Sequence, residues 1–322
     1  MTAVQRVWRV ATSLPARILI TVGLMAIVAS SIDWGAVGDA ISDASWGWFV
    51  VAVGLILASF VIASERWRIL LGVARLATPL ARALRAYLAG AFANNLLPTG
   101  FGGDALRAWM VARSSLPFAR SLTSVAVDRA TALGCGLALG WVGVVIDPGE
   151  LDASQLVPLA AISTAGLAAG IVALSVLRRG GLGRHLPQRA QPWVAEVAKT
   201  LRTYAADPRL VVVVLVLGLA FQLLTVGATW ALSEMLGLGL APALIAVVVP
   251  LVLIATALPI SIGGFGVREG SYVVLLADAG VSSGDATLLS LLAAAAMALA
   301  SLPGGLFLLV GQEPPPLASQ PD

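Results

Sequence analysis

Long apolar stretches, separated by short polar loops, fill nearly the whole chain. Those at 18–32, 46–64, 122–146, 156–177, 210–232 and 286–310 predict six membrane-spanning helices. Trp46 and Trp48 suit an interfacial aromatic belt at the start of the second. Two further apolar stretches do not fit a simple crossing. The stretch 86–97 is a helix of about 18 Å, short of the roughly 30 Å hydrocarbon core. It carries Asn94 and Asn95 near its end, breaks at 98–103, and resumes as 105–111 before Arg113 and Arg120. Basic residues on both flanks put both ends on one side of the membrane, which predicts a re-entrant hairpin. The stretch 241–258 likewise runs into a break, at 259–264. The piece 266–276 then leads to Asp278 and Asp285 with no basic residue, so this segment too is expected to turn back.

The two breaks are copies of one pattern. The first reads Leu97-Pro98-Thr99-Gly100-Phe101-Gly102-Gly103-Asp104-Ala105-Leu106-Arg107, the second Leu258-Pro259-Ile260-Ser261-Ile262-Gly263-Gly264-Phe265-Gly266-Val267-Arg268. Leu-Pro, Gly-Gly and Arg fall at the same offsets in each. Proline ends an incoming helix, and the glycine pair permits close backbone approach or positive φ. Each outgoing half-helix is expected to start at its Gly-Gly and to aim its free N–H groups at the break, with an arginine one turn in.

Charge is sorted by position. Seventeen of the twenty basic residues lie before 18, between 65 and 85, between 113 and 120, or between 178 and 209. The topology above places all of these on one side, the cytoplasm by the positive-inside rule. The acidic loops at 33–43, 147–152 and 234 fall opposite. The Glu65-Arg66-Trp67-Arg68 run reads as an interface anchor. The stretch 191–204 reads as a solvated loop, or as a surface helix with Val194, Val197 and Leu201 on one narrow face.

The expected fold is therefore an all-α polytopic membrane protein with one integral membrane domain over 1–310. A first half (16–153) and an inverted second half (154–310) each hold three spans and one re-entrant broken-helix hairpin. The Pro-rich tail 311–322 is expected to be disordered. Paired breaks in inverted halves point to a transporter's binding site.

Composition agrees. Hydrophobic residues make up 59%, charged residues 11%, and mean hydropathy is +0.94. Soluble domains carry about 25% charged residues. The continuous apolar runs do not alternate as membrane β-strands do. A net charge of +3, sorted by membrane side, does not indicate nucleic-acid binding. The single Cys135 and the single His185, the latter in a basic loop, provide no disulfide, no cysteine or histidine metal set and no intramembrane Ser-His chemistry. No metal or cofactor is expected.

Three basic residues are left unexplained by topology: Arg107, Arg129 and Arg268. With Asp104, Asp128 and Glu269 they form a balanced set of intramembrane charges, each costly to insert and functional by default. They can pair to clamp the hairpins, or line a polar cavity. Arginine forks beside helix N-termini suit phosphate. If both tips meet near the midplane they make one anionic-headgroup site, with Asn94 and Asn95 able to cap the first tip.

The run from Asn95-Leu96-Leu97-Pro98 through Gly102-Gly103-Asp104 to Arg107, then Asp128-Arg129, then Pro259 through Gly263-Gly264-Phe265-Gly266 to Arg268-Glu269-Gly270, resembles the flippase-like transmembrane region of lysylphosphatidylglycerol synthases. This is the membrane part of the multiple peptide resistance factor and of stand-alone relatives. The resemblance spans roughly 16–310. It implies a bacterial inner-membrane protein that moves an anionic or aminoacylated lipid between leaflets; the charge-sorted topology places both termini in the cytoplasm, and the leading reading is a flippase for a phospholipid or polyprenyl phosphate. Full-length relatives carry a soluble aminoacyl-transferase domain after the membrane region. This chain stops twelve residues past its last expected span, so it is not expected to make lysyl-lipid itself.

Two other readings compete. One is a membrane-embedded enzyme on lipid phosphates, with Asp104, Asp128 or Glu269 as acid or base. The other is a non-transporting subunit of a separate lipid synthase or glycosyltransferase. The sequence also allows a homo-oligomer.

Overall fold

The computed structural model describes residues 44–96, 102–112, 115–179, 191–257, 261 and 264–309. Among them are ten α-helices, one short 3₁₀ turn (Pro148–Glu150) and no strand. The helices are α1 (Trp46–Val73), α2 (Leu80–Leu96), α3 (Gly102–Val111), α4 (Ser115–Ile146) and α5 (Ala153–Arg179). Then follow α6 (Gln191–Ala206), α7 (Pro208–Met235), α8 (Pro242–Ala257), α9 (Val267–Leu276) and α10 (Ser283–Leu309). The expected first span at 18–32, the tip residues Pro98, Pro259 and Gly263, and the tail 311–322 lie outside the described residues.

Among the described residues, five helices are long and apolar enough to cross a membrane: α1, α7, and the greater parts of α4, α5 and α10. In lipid every backbone amide must find its partner within the segment, so such runs are helical. Their ends carry local signals. Asp207 caps α7, its carboxylate accepting from the N–H groups of Arg209 (3.0 Å) and Leu210 (3.1 Å), with Pro208 at the first helical position. Many apolar side chains face outward, for example Val212, Val216 and Leu223 of α7, as a lipid-facing surface requires.

The structure departs from the sequence reading at four helices. α2 begins at Leu80 instead of 86, so it has 17 residues and reaches about 25 Å, and α4 begins at Ser115 instead of 122. α1 continues to Val73 instead of stopping at 64. Its charged run is accommodated within the helix, since Arg68 pairs with Glu65 one turn away while Arg66 and Trp67 turn inward and are buried. The stretch 191–206 is a helix, α6, packed against α4. Tyr204 fixes its C-terminal end by donating its phenol proton to the Leu70 carbonyl (2.9 Å).

Packing follows a regular scheme. α1 and α7 have equal lengths and lie antiparallel: the Ser45 N–H donates to the Met235 carbonyl (3.2 Å) at one end, while Leu70 and Ala74 cluster with Leu210 and Val214 at the other. α2 packs on α3, α1 and α10; correspondingly, α8 packs on α9, α7 and α4. Replacing α1–α4 by α7–α10 in order turns each of these packed pairs into another packed pair.

Glycine sets the closest approaches. A Cβ added to Gly304 of α10 would lie 2.1 Å from the Leu88 carbonyl oxygen of α2. One added to Gly143 of α4 would lie 2.6 Å from the Ala243 carbonyl oxygen of α8. Without a hydrophobic drive between helices in lipid, such small-residue contacts hold a bundle together. Gly304→Val and Gly143→Val are therefore expected to destabilise the bundle by about 1–3 kcal/mol each through overpacking. Gly149→Val, in open space, should stay within about 0.5 kcal/mol. Thermal unfolding in detergent measures the ranking; equal effects at all three positions would contradict it.

Candidate functional site

The site is built on the first break. α2 and α3 pack antiparallel. A Cβ on Gly103 would fall 1.9 Å from the Gly90 carbonyl oxygen, and Gly90 lies against Arg107. Asn94 reaches from the end of α2 across to the start of α3, where its Oδ1 accepts from the Gly103 N–H (2.8 Å). Its neighbour Asn95 instead donates to Ser301 Oγ of α10 (3.0 Å). Of the two asparagines singled out in the sequence, one caps the break and the other ties the hairpin to the last helix.

The hairpin carries Asp104 and Arg107 to α4. Arg107 sits at the centre, donating from Nε to Asp104 Oδ1 (3.1 Å) and from both terminal nitrogens to Asp128 Oδ2 (3.1 and 3.0 Å). It packs over the rings of Tyr87 and Trp67, 4.7 and 5.0 Å from their centroids. Arg129 donates from Nε to Asp104 Oδ2 (2.7 Å). Arg66 of α1 donates from Nε to Asp128 Oδ1 (2.7 Å) and lies over the Phe221 ring of α7. The result is one chain of alternating charge, Arg66–Asp128–Arg107–Asp104–Arg129, across three helices, α1, α3 and α4.

Three guanidinium groups face two carboxylates, so the chain carries one uncompensated positive charge. Arg66, Arg107 and Asp128 are almost fully buried, whereas the Arg129 side chain is 42% exposed. Arg66 Nη1 is buried with no hydrogen-bond partner among the described residues. The sequence reading missed Arg66, because it belongs to a run of arginines that topology already explained. Its register was the available signal: it falls on the buried stripe of Ser59, Ala63 and Leu70, which Glu65 and Arg68 do not share.

The second break is built differently. Gly264 and Gly266 take positive φ (+78° and +79°) in a turn, and α9 begins only at Val267. The expectation that both outgoing helices start at Gly-Gly holds for α3 alone. Glu269, fully buried, accepts from the Gly266 N–H (2.6 Å), a reach from the first turn of α9 back to its N-cap. Its other oxygen takes Arg268 Nη2 (2.7 Å), and Arg268 Nε also reaches Ser290 Oγ of α10 (3.2 Å). This pair is neutral as a unit.

Each break thus caps part of its own outgoing helix, through Asn94 in one and Glu269 in the other. The half-helix ends are not bare dipoles, and the electropositive character rests on guanidinium groups. No hydrogen bond or ion pair among the described residues joins the two clusters. The expected shared pocket between the tips is not formed by any such contact, and the tips themselves lie largely outside the described residues.

Asp128 holds two buried arginines. Asp128→Ala strands both, so it should cost about 3–5 kcal/mol. Arg129→Gln, at the exposed end, should cost less than about 1 kcal/mol. Thermal unfolding of the two variants tests this order; a milder Asp128→Ala would show that the network carries no structural weight.

No curated protein matches the chain. The family model described as the lysylphosphatidylglycerol synthase TM region matches it over residues 15–305. The protein is thus a multi-pass membrane protein that belongs to the family of lysylphosphatidylglycerol synthase transmembrane regions, a family associated with lipid modification.

Proposed function

We propose that the chain moves a lipid with an anionic or aminoacylated headgroup, a phospholipid or polyprenyl phosphate, between the leaflets of a bacterial inner membrane. The observation that carries this is the surplus positive charge of the Arg66–Asp128–Arg107–Asp104–Arg129 chain. Burying an unmatched charge in lipid is expensive, and a phosphate oxygen at the exposed Arg129 fork would match it. Asp104 and Asp128 hold the arginines in position, so the site needs little reorganisation when the headgroup arrives.

The architecture supports transport through two inverted repeats. α1 and α7 correspond and run antiparallel, and the packed pairs map onto each other between halves. The α2–α3 and α8–α9 pairs are the two re-entrant hairpins in this reading, opening to opposite sides. α8 lies antiparallel along α4, with Ala243 at Gly143 and Pro250 at Gly136. Continuing that register at about 1.5 Å per residue brings the end of α8 level with Arg129. The N-terminus and the basic loops are cytoplasmic in this arrangement.

Reconstitution in liposomes with leaflet-labelled lipids tests the reading. The protein should accelerate exchange of an anionic or aminoacylated lipid, and Arg129→Gln should slow it at least about tenfold, the loss of one charge-assisted contact. Exchange equal to protein-free vesicles for every lipid tried would overturn transport. Release of phosphate from the lipid in the same vesicles would favour an enzyme. Unchanged exchange in Arg107→Ala and Arg268→Ala, with lost assembly onto a partner, would favour a non-transporting subunit.

A further inference from the structure

α1 and α7 have equal lengths and end in the same turn. At the end of α1, Arg75 N–H donates to the Gly72 carbonyl (3.0 Å) and Leu76 N–H reaches back to Leu71 (2.8 Å). At the end of α7, Gly237 N–H donates to Glu234 (3.1 Å) and Leu238 N–H to Ser233 (3.0 Å). The residue that reverses the chain must take a left-handed backbone, and glycine does so without a Cβ penalty. Gly237 has φ +67°. In the matching place α1 has Arg75, at φ +60°, and no other non-glycine residue has positive φ among the described residues.

A general need for positive charge does not explain this choice. A cation favours a helix C-terminus, but any position in the last turn supplies one without strain. Strained backbone persists where a particular side chain is needed at that point. Arg75 lines a cleft of about 80 Å³ between the end of α1, the start of α4 and one face of α6. Arg120, Glu196, Lys199, Thr200 and Thr203 line it as well. Glu196 is already engaged by Arg120 Nε. Arg75 and Lys199 form no ion pair among the described residues. The threonine hydroxyl protons go to backbone carbonyls of α6 itself. The cleft therefore presents two uncommitted cations and the remaining nitrogens of a third, against one carboxylate already in use. Its wall is fixed by Tyr204, whose phenol is pushed well above the usual tyrosine range by burial and so remains a donor to Leu70.

We infer that this cleft binds a phosphate ester, held by Arg75, Lys199 and the outer nitrogens of Arg120. The site is distinct from the intramembrane cluster and does not rest on the transport reading. A lipid headgroup and a soluble phosphate ester share this chemistry, so the test has an arm for each.

The full chain is placed in phosphatidylcholine nanodiscs and its apparent Tm measured three ways: alone, with phosphatidylglycerol in the disc, and with glycerol phosphate in solution. A rise with phosphatidylglycerol alone assigns the site to a lipid headgroup; a rise with glycerol phosphate assigns it to a soluble ester. Arg75→Gly should raise the Tm in plain discs by about 2 °C as strain is relieved. It should also weaken the ligand response by about tenfold in concentration, the loss of one charge-assisted donor. Lys199→Gln should weaken the response similarly without the baseline rise. A Tm unmoved by either ligand, or a response intact in both variants, would overturn the proposal.

Discussion

The fold of the first half depends on one carboxylate. Asp128 accepts from Arg66 on one oxygen and from Arg107 on the other, and so binds α1, α3 and α4 at one point. Each of these charges would be prohibitive alone in lipid. Together they are tolerable because the hydrogen bonds are short and aromatic rings cover the guanidinium faces. The same network anchors the packed pair α2 and α3. α3 has ten residues, and its anchorage comes from Gly90–Gly103 contact, the Asn94 cap and the charge chain.

The two halves meet the same requirement, a polar break inside an apolar bundle, by different means. The first uses glycine for proximity and leaves its outgoing helix to start at once. The second uses glycine for positive φ and delays the helix until Val267. The first cluster carries a net charge; the second closes on itself through Glu269. The small-residue contacts of Gly143 and Gly304 join α4 to α8 and α10 to α2.

Much of this was legible in the sequence. The apolar runs gave the long helices to within a few residues at most ends, because hydropathy over twenty residues outweighs local propensity. The duplicated Leu-Pro, Gly-Gly, Arg spacing marks both breaks, and charge inside apolar segments singles out Asp104, Arg107, Asp128 and Arg129. Arg66 was hidden because a charge near a helix end has two explanations, and counting by side favours the topological one. The length of α1 was misread for the same reason. The late start of α9 was not legible either, since Gly-Gly permits both close approach and positive φ, and packing decides between them. Helix α6 has an apolar face too narrow to distinguish from a loop without its contact to α4.

The central claim is that two broken-helix hairpins enter from opposite sides. With Cys135→Ala as background, single cysteines at Ala77, Ser114, Gly149, Gly239 and Ser282 would be labelled with an impermeant thiol reagent in oriented vesicles. The account predicts that Ala77→Cys and Ser114→Cys react from one side, and Gly149→Cys, Gly239→Cys and Ser282→Cys from the other. Reaction of Ala77→Cys and Ser114→Cys from opposite sides, or of Gly239→Cys and Ser282→Cys from opposite sides, would show a full crossing and contradict it.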